Sequence, residues 1–354
     1  MIRLYDRIMY GQMIRILVVF TGGTIGCTVD DSIIDVDKIK PFYLLKLFNE
    51  KYDIGVEFDT IQPYNILSEN IVPNNWAVLY EEIKAVNPEK YDGIIVTHGS
   101  DTLPYTSAVL GYLFNYLDIP LVVIGSNYPL EDKRSNGLNN FYNAVRFIAE
   151  SGMKGVYAIF EDNTGRNVVY LSTRIIEADQ YNDQFSSFGG VDFGEMKDGK
   201  LILVKSKINP EKEKLLESRE RFIKGSIDFS NRILAIRPYP GLDYGFFDLG
   251  RGPKAVLHGL YHSGTACAAG QEHSLPRFIK KCREAGIDFY IASIKNPKGD
   301  LYASSGEIIE SGAIPLANIS FEAALAKLYI AYNQKEMTPV DYMLNEQYFE
   351  FLPA

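Results

Sequence analysis

The sequence predicts an α/β protein of two unequal domains, each with a mainly parallel sheet flanked by helices. In the first half of the chain, short apolar runs rich in β-branched residues alternate with amphipathic stretches, which is typical of βαβ units. A highly charged stretch separates this pattern from a second, shorter α/β pattern. The 354 residues suffice for two domains of ordinary size.

The predicted elements follow from the period and length of the apolar runs. In the first domain, strands are expected over 14–20, 93–97, 120–125 and 155–160, with helices over 76–85 and 106–116. In the second domain, strands are expected over 233–238, 255–260 and 289–294, with helices over 274–285 and 321–332. We therefore expect an N-terminal domain over 1–208 that carries the functional site, a linker over 209–230 and a smaller C-terminal domain over 231–354.

Composition narrows the class of protein. About half of the residues are apolar (46%) and 23% are charged, the balance of a soluble globular protein. No apolar run reaches the roughly 18 residues of a membrane span, and the charged N-terminal segment does not look like a secretory signal. The net charge of −9 disfavours nucleic acid as a partner. The sequence thus predicts a protein with no membrane or nucleic-acid partner.

Cysteine and histidine usage indicates a reducing compartment. The three cysteines are widely spaced and none belongs to a CxxC pair, which disfavours a disulfide framework and a zinc site. The four histidines are scattered, so no cluster of metal ligands is visible. We expect a cytoplasmic protein without a disulfide framework or a metal site.

The strongest chemical signal is Thr21-Gly22-Gly23-Thr24-Ile25-Gly26, which directly follows the first predicted strand. Paired glycines allow a sharp backbone turn and leave room for a ligand, and ligands bind at this end of parallel sheets. Thr24 there can present its hydroxyl to a substrate, with nearby backbone N–H groups as an oxyanion hole. The alternative is a tight turn with an incidental threonine; a phosphate-binding loop is disfavoured by the glycine spacing.

A second signal, Thr97-His98-Gly99-Ser100-Asp101-Thr102, follows another predicted strand. The carboxylate of Asp101 can hold a substrate ammonium, and the hydroxyl of Ser100 can hold or activate water. Alternatively, Ser100 or Asp101 simply caps the following helix. Two hydroxyl-bearing turns at two strand ends of one sheet favour a site.

The two motifs together resemble the paired signature of the bacterial-type L-asparaginases, which include the cytoplasmic type I enzymes. The amidotransferase subunit of archaeal glutaminyl-tRNA synthesis shares this signature. The likeness extends over nearly the whole chain from Met13. Further matching segments are 67–70 with Pro73 and Trp76, 125–143, 238–241 and 322–328.

The resemblance implies an L-asparaginase-type amidohydrolase that converts asparagine, or glutamine, to the acid and ammonia through a threonine acyl-enzyme. Thr24 matches the primary nucleophile, and Asp101 the aspartate that binds the α-ammonium. Ser68 matches the serine that binds the α-carboxylate, and Glu69 and Gly23 match neighbouring substrate contacts. Family members are homodimers or homotetramers, and no cofactor is implied.

Two departures from the family pattern affect proton transfer directly. The mobile loop after the first motif carries an activating tyrosine in the family, whereas the segment between Gly26 and Pro41 has none and Ile33 takes its place. The family's Thr-Lys pair is best matched by Thr173-Arg174. Arginine stays protonated and cannot act as a base, although it can stabilise negative charge.

Two further departures are chemically milder. Ser100 replaces the second site threonine, which keeps the hydroxyl but loses the methyl group that restricts χ1. Asn136 replaces an aspartate, which removes one charge; the alternative is neutral change at a structural turn.

The intact binding residues and altered proton-transfer residues leave two hypotheses. One is an amidohydrolase with weak activity or altered substrate preference, in which a group such as His262 from a neighbouring subunit acts as a substitute base. The alternative for His262 is a structural histidine at a strand end. The other is a catalytically impaired protein of the same fold that senses an amino acid or a partner. A tRNA-dependent amidotransferase subunit ranks lower, and the glycine pattern excludes a nicotinamide dehydrogenase.

Overall fold

The computed structural model describes residues 13–23, 25, 27–30, 33–36, 41–297 and 299–353. The chain divides into two compact units, of which the first ends at Ser226 and the second begins at Ile227. Both contain a sheet flanked by helices, as expected. Within the described ranges, no helix is long and apolar enough to cross a membrane.

The first unit is built on an eight-stranded sheet. Its strands are β1 (Ile14–Phe20), β4 (Val56–Ile61), β5 (Gly93–Thr97), β6 (Pro120–Ile124), β7 (Gly155–Glu161), β8 (Asn167–Leu171), β11 (Gly194–Lys197) and β12 (Lys200–Leu203). Two antiparallel pairs lie outside it: β2 (Cys27–Asp30) with β3 (Ile33–Val36), and β9 (Ile175–Ile176) with β10 (Ser186–Ser187). The helices are α1 (Pro41–Lys51), α2 (Pro73–Ala85), α3 (Leu103–Phe114), α4 (Gly137–Glu150) and α5 (Lys212–Leu216).

The strand order is β12-β11-β8-β7-β6-β5-β1-β4. Strands β4, β1, β5, β6 and β7 are parallel, whereas β8, β11 and β12 extend the sheet in antiparallel fashion. All described residues of β5 and β6 are buried, as expected for central strands covered on both faces. The four strands expected in this half are confirmed to within one residue. The antiparallel edge was not predicted, because its short strands alternate polar and apolar residues only weakly.

The expected linker proves to be part of the first unit. Its charged residues suggested a solvated connection, but Leu215 and Ile223 are buried. The carbonyl of Ile223 accepts hydrogen bonds from the hydroxyl of Tyr80 and from Nε of Arg221, at 3.2 and 2.9 Å. A few apolar side chains therefore anchor the segment through residue 226, despite its charge.

The second unit contains a four-stranded parallel sheet in the order β13-β14-β15-β16. Its strands are β13 (Ile233–Ile236), β14 (Ala255–Gly259), β15 (Asp288–Ile294) and β16 (Ile314–Ala317), and its helices are α6 (Leu275–Glu284), α7 (Ala303–Glu310), α8 (Phe321–Ala331) and α9 (Pro339–Leu344). The predicted strands and helices lie within these elements, apart from one or two terminal residues.

A fully buried ion pair secures the C-terminal segment of the second unit. Lys327 on α8 donates to Glu350 at 2.5 Å and to the carbonyls of Met343 and Asn345 at 3.1 and 2.7 Å. The Glu350 carboxylate also accepts the backbone N–H groups of Gln347 and Tyr348. Burial lowers the pKa of Lys327, and the charge of Glu350 opposes that shift. Both side chains are completely shielded, so each charge depends on the other.

We predict that Glu350→Gln lowers the free energy of unfolding of the second unit by about 3–5 kcal/mol, since it leaves the Lys327 ammonium buried without its counter-ion. Denaturant unfolding checks this. In the double mutant Lys327→Met/Glu350→Gln, the loss should be smaller than the sum of the two single losses. The matched control is Glu50→Gln in the exposed Lys46–Glu50 pair, which should cost at most about 0.5 kcal/mol. Equal losses of unfolding free energy in Glu50→Gln and Glu350→Gln would contradict the prediction.

Candidate active site

The two glycine-containing motifs follow neighbouring parallel strands, β1 and β5. Phe20 is in register with Thr97, so both chains leave the sheet at the same edge. The hydroxyl of Thr21 donates to the carbonyl of Thr97 at 2.6 Å and ties the two turns together. This edge is where ligands bind in open parallel sheets.

Glycine at position 23 is required by both backbone angle and space. Its φ of 76° lies in the left-handed region, and a Cβ there would lie 2.3 Å from the backbone nitrogen of Gly99. The N–H of Gly23 donates to the carbonyl of Ile66 at 3.1 Å, so this N–H is not aimed at a ligand. Thr24, the predicted nucleophile, lies outside the described residues, as does Gly26.

The segment before α2 joins the same cluster through Ser68. A Cβ on Gly99 would lie 2.4 Å from the Ser68 hydroxyl, so only glycine lets that side chain sit against the second turn. Ser68 is 3% exposed. Glycines 23 and 99 thus allow three separate segments of the chain to meet.

Ser68 and Asp101 are directly linked. The Ser68 hydroxyl donates to Oδ2 of Asp101 at 3.3 Å, and the Thr102 hydroxyl donates to the carbonyl of Ser68 at 2.9 Å. Helix α3 has Thr102 as its N-cap, without a side-chain capping bond. The geometry therefore disfavours the alternative that Ser100 or Asp101 caps helix α3. Glu69, the neighbouring predicted contact, is exposed.

Ser100 and Asp101 line a cavity of about 490 Å³. Its other described walls come from the loop after β6 and from the connection between β9 and β10, namely Asn127, Glu177, Ala178, Asp179, Gln180 and Asp183. Every ionisable side chain among these lining residues is a carboxylate. Such a cavity attracts a cationic group and repels an anionic one.

Sequence reasoning missed the carboxylate of Glu177. Its Oε1 accepts a hydrogen bond of 2.5 Å from the hydroxyl of Tyr105, on the first turn of α3. The two residues are far apart in sequence, and neither belongs to a motif. The sequence offered only one hint of this contact, which is that Tyr105 lies four residues after Asp101.

Arg174, predicted to take the lysine position, lies just before β9. It is 5% exposed, and its Nη1 donates to the carbonyl of Ile208 at 2.6 Å. Among the described residues that line the cavity, Glu177 is present and Arg174 is not. One nitrogen of the guanidinium is thus engaged by the backbone carbonyl of Ile208, in the segment after β12.

Two histidines can be compared as possible bases. Burial lowers the pKa of His98 to about 4, although its bond to the Gly99 carbonyl opposes the shift. His98 is therefore neutral near pH 7 and brings no positive charge to the turn. His262, the suggested substitute base, lies in the second unit and is exposed.

Asn136 is a well-satisfied structural residue. Its Oδ1 accepts from the backbone N–H of Asn127 at 3.0 Å, and its Nδ2 donates to the carbonyl of Glu161 at 3.2 Å. An ionised aspartate could not make the second bond, because it has no donor. The amide therefore holds Asn127 at the cavity wall. Over the described part of the chain, no group of three or more His, Cys, Asp or Glu residues could hold a metal ion.

The chain is similar to known proteins over most of its length. Residues 15–209 match the family model for the N-terminal domain of asparaginase. The chain is 30% identical to an L-asparaginase of Thermococcus kodakarensis, covering 89% of this chain and 91% of the relative. It is 25% identical to a glutamyl-tRNA(Gln) amidotransferase subunit of Methanococcus maripaludis, covering 89% of this chain and 75% of the relative.

Solved structures show the same fold. The thermostable L-asparaginase of Thermococcus kodakarensis superposes with a TM-score of 0.76 at 23% identity, covering 96% of this chain and all of the other. A probable cytoplasmic L-asparaginase of Campylobacter jejuni gives 0.71 at 22% identity, covering 95% and 99%. The family model covers residues 15–209, and the L-asparaginase of Thermococcus kodakarensis is 30% identical over most of both chains. The chain therefore belongs to the asparaginase family.

Proposed function

We propose that this protein is an amidohydrolase that releases ammonia from the side-chain amide of a small amino acid, with L-asparagine as the first candidate and glutamine as the second. The observation that carries the proposal is the Ser68–Asp101 hydrogen bond beside a carboxylate-lined cavity at the ends of β1 and β5. A carboxylate at this edge is suited to bind an α-ammonium, and the family assignment supplies the reaction class.

In the proposed reaction, the Thr24 hydroxyl attacks the amide carbon and its proton passes to the amide nitrogen. The C–N bond of the tetrahedral intermediate then breaks, ammonia leaves, and an acyl-enzyme remains. Water then hydrolyses the ester. Asp101 would hold the α-ammonium, Ser68 the α-carboxylate, and Ser100 the attacking hydroxyl or water. Gly23 and Glu69 would form the neighbouring walls.

Arg174 has two possible roles in this scheme. The family resemblance suggests that it stabilises negative charge at the reacting centre. Its hydrogen bond to Ile208 instead supports a positioning role for the segment that leads to Glu177. We favour the positioning role.

The surroundings of the enzyme are also part of the proposal. The likeness to a probable cytoplasmic asparaginase supports a cytoplasmic location. We further propose a homodimer or homotetramer, as in the family, with no cofactor and no nucleic-acid partner.

The relatives that are subunits of a tRNA-dependent amidotransferase support a second candidate function, in which glutamine is hydrolysed for a partner enzyme. The missing loop tyrosine supports a third, an amino-acid sensor without turnover.

We predict that Thr24→Ala lowers ammonia release from asparagine by about 10³-fold or more, because the attacking oxygen is lost. Release from asparagine and glutamine is measured with purified protein. Thr164→Ala, on the surface turn between β7 and β8, is the matched control and should retain wild-type activity. If wild type releases no more ammonia than Thr24→Ala, the hydrolase proposal fails and the sensor gains support.

Binding can be tested separately with aspartate, the product. We expect aspartate to raise the melting temperature of wild type, and Asp101→Asn to weaken its affinity roughly 10- to 100-fold because a charged hydrogen bond to the ammonium is lost. Asp53→Asn, an exposed residue beyond α1, should have no effect. A crystal soak should place the ammonium at Asp101 and the carboxylate at Ser68. A ligand bound elsewhere would refute these two assignments.

For Arg174→Lys, we predict lower stability, by about 1–3 kcal/mol, and no gain in turnover. Lysine keeps the charge but loses the planar guanidinium that reaches the carbonyl of Ile208. Thermal unfolding and ammonia release measure the two effects. A rise in turnover would instead place this side chain at the reacting centre.

A further inference from the structure

We propose that Asn127 is a substrate-binding residue of this site and that its carboxamide recognises the side-chain amide of the substrate. The inference rests on the proposed amide hydrolysis, and it assigns the group that binds the amide, which the two glycine-containing motifs leave unassigned. It concerns the loop after β6, which forms one described wall of the cavity.

The loop after β6 lies beside the turn that follows β5. The two strands are parallel neighbours, and their last residues, Thr97 and Ile124, are in register. The N–H of His98 donates to the carbonyl of Ile124 at 2.8 Å, which continues the contact beyond the strands. Ser100 and Asn127 each lie three residues after this registered pair, and both line the cavity. The register therefore brings Asn127 close to Ser100.

The backbone of Asn127 is fixed by its own loop. Its N–H donates to Oδ1 of Asn136 at 3.0 Å. On either side of it, the hydroxyls of Ser126 and Ser135 both donate to the carbonyl of Tyr128, at 2.5 and 3.0 Å. These bonds hold the Cα of Asn127 in place, as a residue that binds a small ligand requires.

The side chain of Asn127 is left for a ligand. It is partly buried, and within the described ranges its carboxamide makes no hydrogen bond to the protein. A carboxamide both donates and accepts hydrogen bonds, so it can meet the C=O and the N–H of another carboxamide. The four carboxylates of the cavity wall can accept hydrogen bonds at neutral pH but cannot donate them. Asn127 therefore offers a substrate amide both kinds of partner.

The proposed positions of the other substrate groups indicate which end of the substrate Asn127 meets. Asp101 would hold the α-ammonium and Ser68 the α-carboxylate, and their side chains bond to each other at 3.3 Å. Ser100 would hold the attacking hydroxyl or water, beside the reacting amide. Because Asn127 corresponds to Ser100 in register, the group that it would contact is the side-chain amide.

Among the described lining residues, Gln180 is the other carboxamide. It lies on the β9–β10 connection and is exposed, whereas Asn127 is partly buried beside the central strands. Water already satisfies an exposed carboxamide, so its hydrogen bond to a ligand contributes little net free energy. The geometry therefore favours Asn127 over Gln180.

The test measures equilibrium binding in the background Thr24→Ala, in which asparagine should remain intact during a calorimetric titration. Asn127→Ala should weaken asparagine binding about 5- to 20-fold, the loss expected for one or two neutral hydrogen bonds. The probe 2-aminobutyrate has the same ammonium and α-carboxylate but no amide, and Asn127→Ala should leave its affinity unchanged. Equal weakening of both ligands would place the contact at the α-carboxylate and overturn the inference, as would a lack of asparagine binding to the Thr24→Ala protein.

Matched variants separate a ligand contact from a loss of structure. Asn127→Ala should keep the melting temperature, because the carboxamide makes no bond to the described protein. Asn136→Ala should weaken asparagine binding and also lower the melting temperature, because it releases the backbone of Asn127. Gln180→Ala removes the other carboxamide and should change the affinity less than about 2-fold. If it weakens asparagine binding as much as Asn127→Ala does, the inference is wrong.

Ammonia release by the protein that retains Thr24 separates this inference from the proposed function. There, Asn127→Ala should raise KM for asparagine about as much as it weakens binding. If that protein releases ammonia and Asn127→Ala changes neither KM nor binding, the inference is wrong while the proposed function stands. If it releases none and Asn127→Ala still weakens asparagine binding alone, the proposed function fails while the contact stands.

Discussion

The site depends on the contact between the backbones of Gly23 and Gly99. The strands β1 and β5 are neighbours, but a β-carbon on Gly23 would clash with the turn after β5, and one on Gly99 would clash with Ser68. With hydrogen at both positions, Ser68 also fits beneath the second turn and bonds to Asp101. One steric condition, the absence of two methyl groups, therefore allows three distant segments to come together beside Asp101.

Burial and hydrogen bonding determine the charges near the site. His98 is buried so deeply that its imidazole is neutral near pH 7. Arg174 directs its guanidinium to a backbone carbonyl near Ile208. The ionisable side chains that line the described cavity are carboxylates, and they include those of Asp101 and Glu177. Among the described lining residues, negative charge therefore surrounds the place where a ligand would bind.

The sequence was sufficient to predict the parallel core and the meeting of the first two motifs, because parallel strands end at one edge of a sheet. It could not reveal the bond between Tyr105 and Glu177, since no period or motif relates a helix's first turn to the distant β9–β10 connection. It also misjudged residues 209–226, where charge suggested solvation but Leu215 and Ile223 are buried. Local sequence patterns predict strands and turns. Hydrogen bonds between side chains that are distant in sequence depend on how the whole chain folds.

A carboxylate-lined cavity has an asymmetric effect on the proposed reaction. Asparagine enters with a neutral side chain and an ammonium that Asp101 can attract. Hydrolysis converts the amide into a carboxylate, and the product then carries one more negative charge into a wall that includes Glu177 and Asp183. Like charges at close range repel, although solvent weakens the repulsion at exposed side chains such as Glu177 and Asp183. The same residues that attract the substrate's ammonium therefore favour release of the acid, which couples the charge of the cavity to the direction of turnover.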